Sequence, residues 1–389
     1  MKVCFLHLDP VGDEPRVRRQ ADALHGAGYE VVAIGATGAR SPKPAWRVIE
    51  LELPRITGAR RLGAMARQAS SALGGRVAVN AYWSDRRRRA VLDAALRERA
   101  DVYVAREWRT LPIGVELRKR TGAALAMDSP ELSSEEREDS GTWRRFFRPM
   151  IVAIETRYLP EVQLVTAVSD GIASRLQERY GLEQTPTTVR NIPPYQECEF
   201  REPGDVIEVV FHGVMAVSRG IESVVGSVAT WPDNVRLTLR GPSDPAYLDR
   251  LRELAGFGLD RIVFAPSVPM TELVTAASSG DVGIFALPDY GRQMANALPN
   301  KLFEYIMAGL AVCVSDLPAM ASIVDEWGCG VKIERPFGPE QVSAAVHRMV
   351  ASDIAAMKRS SLMAARELNW DRESERYLQV FAQVFGPPA

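Results

Sequence analysis

Glu304 and Asn296 stand eight residues apart in the segment NALPNKLFEYIMAGLAVCVSD, residues 296–316. Pro299 suits the first turn of a short helix, where its missing N–H costs nothing. Leu302 and Ile306 share one face of that helix and would turn to the core, and Gly309 can close it in the left-handed conformation. Backbone N–H groups at such a helix start can hold an anion such as a diphosphate. One turn further in, the Glu304 carboxylate can accept hydrogen bonds from both vicinal hydroxyls of a ribose. A solvated helix glutamate fits the same residues, because Glu is a surface type.

Other chemistries lack their residues. There is no G-x-x-x-x-G-K-[ST] loop and no G-x-G-x-x-G after a strand, which argues against a P-loop ATPase or an ordinary dehydrogenase. Neither H-E-x-x-H, paired C-x-x-C, D-x-D nor a G-x-S-x-G elbow occurs. Cys4, Cys198, Cys313 and Cys329 have no metal spacing and read as free thiols of a reducing compartment. The net charge of -1 gives no basic surplus for nucleic acid. The opening MKVCFLHLDP is too short an apolar run for a signal peptide, and no run nears the roughly 18 apolar residues of a membrane span. A cytoplasmic protein is expected, with 46% hydrophobic and 25% charged residues.

The elements that must position Glu304 alternate between strand and helix. KVCFLHL, YEVVAIG, RVIELEL, DVYVA, AALAMD and QLVTAVS read as strands, with a helix from residue 15 to about residue 27. After the polar patch REPGDV the rhythm restarts with IEVVFHG, VRLTLRG, RIVFAP, DVGIFAL and AVCVSD. Alternation of this kind implies right-handed βαβ units and parallel sheets. The expected fold is α/β, with two doubly wound Rossmann-like domains facing across a cleft: residues 1–200, 206–365, and a last helix, 366–389, crossing back to the first domain. Chemistry belongs beyond the carboxyl ends of the strands.

PNKLFEYIMAG followed by a strand ending in SD resembles a segment of the retaining GT-B glycosyltransferases of family GT4. RVRRQADALHGAGYEVVAIG, the block from ADVYVAREW to MDSPEL, LVTAVSDGIASRLQERYG and FHGVMAVSRGIESVV extend the resemblance over nearly the whole chain. It implies that the C-terminal domain binds a nucleoside diphosphate sugar as co-substrate, with no other cofactor and no metal, and that the N-terminal domain binds a hydroxyl acceptor, whether small molecule, glycan or lipid-linked. Carried over, Glu304 holds the ribose and Arg219 neutralises the diphosphate, a role suited to a permanent forked cation. Gly213 and Gly220 permit close backbone approach there. Leu298, Asn300 and Lys301 line the diphosphate, Arg240 and Gly241 lie at the base edge, and Gly12 faces the phosphates from the first domain. Glu107 takes the family's acidic position near acceptor or sugar. In the implied mechanism a leaving diphosphate oxygen takes the acceptor's proton, while Arg219, Lys301 and helix N-termini stabilise its charge.

Three departures stand out. Asn296 replaces the first of the family's two glutamates, and an amide can hydrogen-bond but carries no charge. Asp128-Ser129-Pro130-Glu131-Leu132 has proline where the family has histidine. Val214 and Met215 stand where many relatives have a basic residue. These keep two rivals open: a GT-B nucleotide-sugar 2-epimerase, and a non-catalytic glycosyltransferase-like partner. His7 and His212 each end a first strand and would point to the cleft, His212 being the better ligand candidate. His25, His347 and the run Arg86–Arg89 read as solvated. In WRRFFRPM, core packing of Phe146 and Phe147 competes with peripheral membrane contact through Trp143, Arg144, Arg145, Phe146, Phe147 and Arg148.

Overall fold

The computed structural model describes residues 1–39, 41–53, 74–217 and 219–388. The chain divides into two compact units: Met1–Arg190 with Gly291–Gln293 and Glu373–Ala389, and Asn191–Tyr290 with Met294–Arg372.

The first unit holds a seven-stranded parallel sheet in the order β3-β2-β1-β4-β5-β6-β7. Its strands are β1 (Lys2–Leu6), β2 (Glu30–Ala36), β3 (Arg47–Leu51), β4 (Val102–Arg106), β5 (Ala124–Ser129), β6 (Leu164–Ala167) and β7 (Thr187–Thr188). Chain order reverses between β1 and β4, where Val3 faces Val31 on one side and Val102 on the other. That reversal opens a crevice at the carboxyl ends of the two strands, the usual place for ligands in such sheets. The helix Trp370–Phe385 sets Phe381 edge-on against Tyr29, ring centroids 5.5 Å apart.

The second unit repeats the plan with six parallel strands, in the order β10-β9-β8-β11-β12-β13. They are β8 (Ile207–His212), β9 (Val235–Arg240), β10 (Ile262–Ala265), β11 (Val282–Phe285), β12 (Ala311–Ser315) and β13 (Gly330–Ile333). The reversal here lies between β8 and β11. β12 is buried at every position, as the apolar run AVCVS requires of a central parallel strand. Just before it, the helix Asn300–Met307 buries every residue from Leu302 to Met307. Pro299 lies one residue outside that helix, extended at φ -71° and ψ 142°, so it caps the helix instead of opening its first turn. Gly309 follows at φ 69°, the left-handed turn expected of it.

All four cysteines are free, and three of them are buried. Among the described residues no helix is long and apolar enough to cross a membrane.

Candidate functional site

In the second unit the expected residues gather where β8 ends. Lys301, in the first turn of Asn300–Met307, sets its Nζ 5.5 Å from the Phe211 ring centroid and 5.0 Å from that of Phe285. Gly213 leaves room for it, since a Cβ there would fall 2.6 Å from Lys301 Cε. Lys301 forms no salt bridge among the described residues. Burial lowers its ammonium to about 8, the charge of Arg219 pushes the same way, and Glu304 opposes both. A half-buried cation beside two aromatic rings, with no salt bridge among the described residues, is suited to receive an anion.

Glu304 is only 7% exposed, so the solvated reading is wrong for it. Its Oε2 lies 2.6 Å from His212 Nε2. His212, the last residue of β8, is 1% exposed and is thus a hydrogen-bonded structural histidine instead of a ligand-facing one, the two roles its place at the strand end allows. Its backbone N–H donates to Tyr305 Oη at 3.1 Å, and its ring packs tilted at 55° against that of Tyr305, 4.7 Å between centroids. Tyr305 Oη in turn donates to the carbonyl of Ile284 at 3.4 Å. Nδ1 of His212 is buried without a partner.

The glycines of this unit are sites of close approach. A Cβ on Gly220, which has φ 72°, would lie 1.7 Å from the Ala286 carbonyl oxygen. One on Gly241 would lie 2.0 Å from the Gly213 carbonyl oxygen. Gly213 N–H also donates to the Arg240 carbonyl at 2.9 Å, which ties the ends of β8 and β9 together. Arg240 is half-buried and donates to the Pro266 carbonyl at 3.2 Å. Arg219 is exposed in the loop after β8, near enough for its charge to act on Lys301. Asn300 opens the helix of Lys301, and Leu298 packs on the core beside it. Asn296 ends a separate short helix, Arg292–Asn296, and is half-buried.

In the first unit a cavity of about 180 Å³ opens at the carboxyl ends of β1 and β4, lined among others by His7, Asp9, Glu14, Arg106, Glu107 and Arg109. Glu107 joins β4 to the helix Glu107–Thr121 at φ 53°, a conformation a side chain adopts only at a cost. Burial raises its carboxyl to about 7; Arg106, 3.7 Å away, opposes the rise and Glu131 adds to it. Asp9, although partly desolvated, is held below the ordinary carboxylate range by Arg109 at 2.7 Å. Gly12 turns its Cα towards the neighbouring loop, where a Cβ would meet Ala39 Cβ at 2.7 Å.

Asp128 is the hub beneath this cavity. It is 2% exposed and accepts from Arg16 Nε at 2.8 Å, Thr166 Oγ1 at 2.7 Å and Gln20 Nε2 at 3.1 Å, with Arg106 on its second oxygen. Burial alone would raise its carboxyl, yet Arg16 and Arg106 hold it well below the usual range. Neither arginine stands out in the sequence; the aspartate at the end of an apolar strand is the signal that a buried cation must meet it.

Two surface expectations change. Arg88, in the run Arg86–Arg89, is buried with its guanidinium 3.8 Å over the Tyr82 ring, because the Arg stem and plane stack well on an aromatic face. In WRRFFRPM the core residue is Trp143, whereas Phe147 is 43% exposed, Phe146 is half-buried and Arg144 and Arg145 are exposed. Arg148 donates to the Ser134 carbonyl at 3.0 Å. His25 is exposed as expected, and His347 Nε2 pairs with the Thr230 carbonyl at 2.9 Å.

Two parallel α/β sheets, seven- and six-stranded, match the architecture of the GT-B transferases. Residues 12–192 match the model of the glycosyl transferase 4-like domain, and residues 207–352 match that of glycosyl transferases group 1. The chain belongs to the GT-B glycosyltransferases. It is similar in fold to sucrose-phosphate synthase from Thermosynechococcus elongatus, with TM-score 0.74, 17% identity, and 99% of each chain covered. WaaG, a glycosyltransferase involved in lipopolysaccharide biosynthesis, gives TM-score 0.69 at 15% identity, over 99% of this chain and 100% of that one. HepE from Anabaena, in complex with UDP-glucose, gives 0.70 at 11% identity, over 98% and 100%. No curated protein matches the chain.

Proposed function

We propose that the protein is a metal-independent, retaining glycosyltransferase of the GT4 type, moving a sugar from a nucleoside diphosphate sugar to a hydroxyl acceptor. The observation that carries this reading is Lys301, a half-buried ammonium that forms no salt bridge among the described residues, at the carboxyl edge of the sheet and one turn from Glu304. Lys301 and Arg219 take the charge that gathers on the departing diphosphate. Glu304 takes the ribose hydroxyls, and the edge at Arg240 and Gly241 takes the base. The UDP-glucose complex of HepE supports a nucleoside diphosphate sugar as donor. Beyond the first unit's strand ends, the cavity around Glu107 suits a polyhydroxyl acceptor, since its wall carries both carboxylates and guanidinium groups, paired as Arg106 with Glu14 and Glu107 and Arg109 with Asp9.

The test is a thermal-shift screen with UDP, GDP, TDP and ADP sugars, followed by transfer assays with the sugar nucleotide that raises the melting temperature. Transfer with retained anomeric configuration, seen by NMR of the product, is the expected result. Conversion of the sugar nucleotide without any acceptor would replace this reading with epimerisation. Tight binding with neither transfer nor hydrolysis would make the chain a binding partner.

A further inference from the structure

We infer that His212 is a positioning residue for the donor: it holds Glu304 through Nε2–H and never touches the nucleotide itself. The inference rests on the donor reading above. A carboxylate on a helix would ordinarily seek water, and Glu304 has room to rotate only if nothing fixes it. Here Oε2 sits 2.6 Å from His212 Nε2, on a histidine that is 1% exposed. The histidine is itself fixed twice, by its backbone bond to Tyr305 Oη at 3.1 Å and by the tilted packing of the two rings, 4.7 Å between centroids. Tyr305 belongs to the same helix turn as Glu304 and is anchored across the sheet on Ile284. The result is a closed loop from β8 to the helix and on to β11.

The tautomer follows from the partners. A carboxylate only accepts, so Nε2 carries the proton of the His212–Glu304 bond. This arrangement holds the carboxylate in one rotamer, which is what two vicinal hydroxyls need from an acceptor. It is the same logic by which a histidine's second nitrogen orients a metal ligand from behind.

The experiment measures nucleoside diphosphate affinity by calorimetry, using UDP, GDP, ADP and TDP, for the wild type and for His212→Leu and His212→Gln. Gln carries an amide N–H close to the Nε2 position, so it should restore most of what Leu removes. His212→Leu should weaken the best ribonucleotide about tenfold or more, the usual scale for a hydrogen bond to a charged group. The 2′,3′-dideoxy form of that nucleotide, which offers Glu304 nothing, should bind all three proteins alike. In turnover, the donor KM should rise in His212→Leu while kcat changes little.

Equal ribonucleotide affinity in wild type and His212→Leu overturns the inference. Equal loss for ribo and dideoxy forms also overturns it, since the defect would then be a general one of folding or shape. A wild type that binds no nucleoside diphosphate at all refutes the donor reading instead.

Discussion

Raising the pH should loosen the donor while stabilising the empty protein, and Lys301 is the cause of both. Its ammonium titrates near 8 in place of 10.5, so it is about nine-tenths charged at pH 7 and about one-tenth at pH 9. A bound diphosphate pairs with the charge and draws the titration back towards the ordinary lysine range. Between these two values, binding must take up a proton, and affinity should fall by about tenfold per pH unit. The terminal phosphate titrates near 6 and does not confuse the window. For stability the sign is reversed. The folded value lies below the unfolded one, so the cost of the buried charge is complete below pH 8. It is relieved as pH rises from 8 to 10.5, by at most about 3 kcal/mol. The assay is calorimetry at pH 7 and pH 9 in two buffers of different ionisation heat, with Lys301→Met as control. Uptake of about one proton at pH 9 and little at pH 7 is expected in the wild type, and none in the variant. The variant should bind the donor about tenfold or more weakly at pH 7 and approach the wild type at pH 9. A wild-type to variant affinity ratio that stays constant from pH 7 to pH 9, with no proton uptake, would refute the reasoning.

Other perturbations probe the rest of the molecule. Glu107→Gln should remove the fall in acceptor KM that accompanies ionisation near pH 7, since the ionised carboxylate is the stronger acceptor for hydroxyls, while leaving donor affinity unchanged; an identical pH profile of acceptor KM would exclude Glu107 from acceptor binding. Arg16→Leu leaves the buried Asp128 carboxylate with Arg106 as its remaining cation and should cost about 3 kcal/mol in urea unfolding at pH 7. Because Asp128 is held low, the benefit of the pair is complete above its ordinary value and is lost only in strong acid, as pH falls through the folded value. Gly220→Ala meets both the Ala286 carbonyl and a left-handed backbone, and should lower stability by about 2 kcal/mol or more in the same measurement. If the Phe147 face meets a membrane, the wild type should co-sediment with anionic vesicles, and the pair Arg144→Glu and Arg145→Glu should abolish it, each arginine contributing about 1 kcal/mol.

The strand rhythm was legible because central parallel strands are continuous apolar runs, and β1, β8 and β12 each read as one. β7 and β13 were not. β7 has two threonines, and GVKI buries only Ile333 fully, so neither shows the pattern that marks a strand buried on both faces. The helix carrying Lys301 and Glu304 was read almost to the residue, yet Glu304's burial was not. Its cause is His212, 92 positions away, and no local pattern encodes a partner at that distance. The same holds for Arg88, whose place is decided by the face of Tyr82. Composition assigns both to the surface, and tertiary contact overrides it. Trp143 and Phe147 exchange their expected places because a six-residue helix, Gly141–Phe146, sets which aromatic turns inward.

The end of β9 and the Lys301 ammonium share one train of close backbone contacts in this molecule. Gly241 cannot grow because the Gly213 carbonyl stands 2.0 Å from where its Cβ would be, and Gly213 cannot grow because the Lys301 stem fills that space. Bulk introduced at the β9 end would thus be passed along to the ammonium two contacts away. Anyone retuning the protein towards another nucleotide should vary Arg240 and keep positions 213 and 241 as glycine. Otherwise, on the proposed donor reading, a change aimed at the base would be read out as a failure to hold the diphosphate.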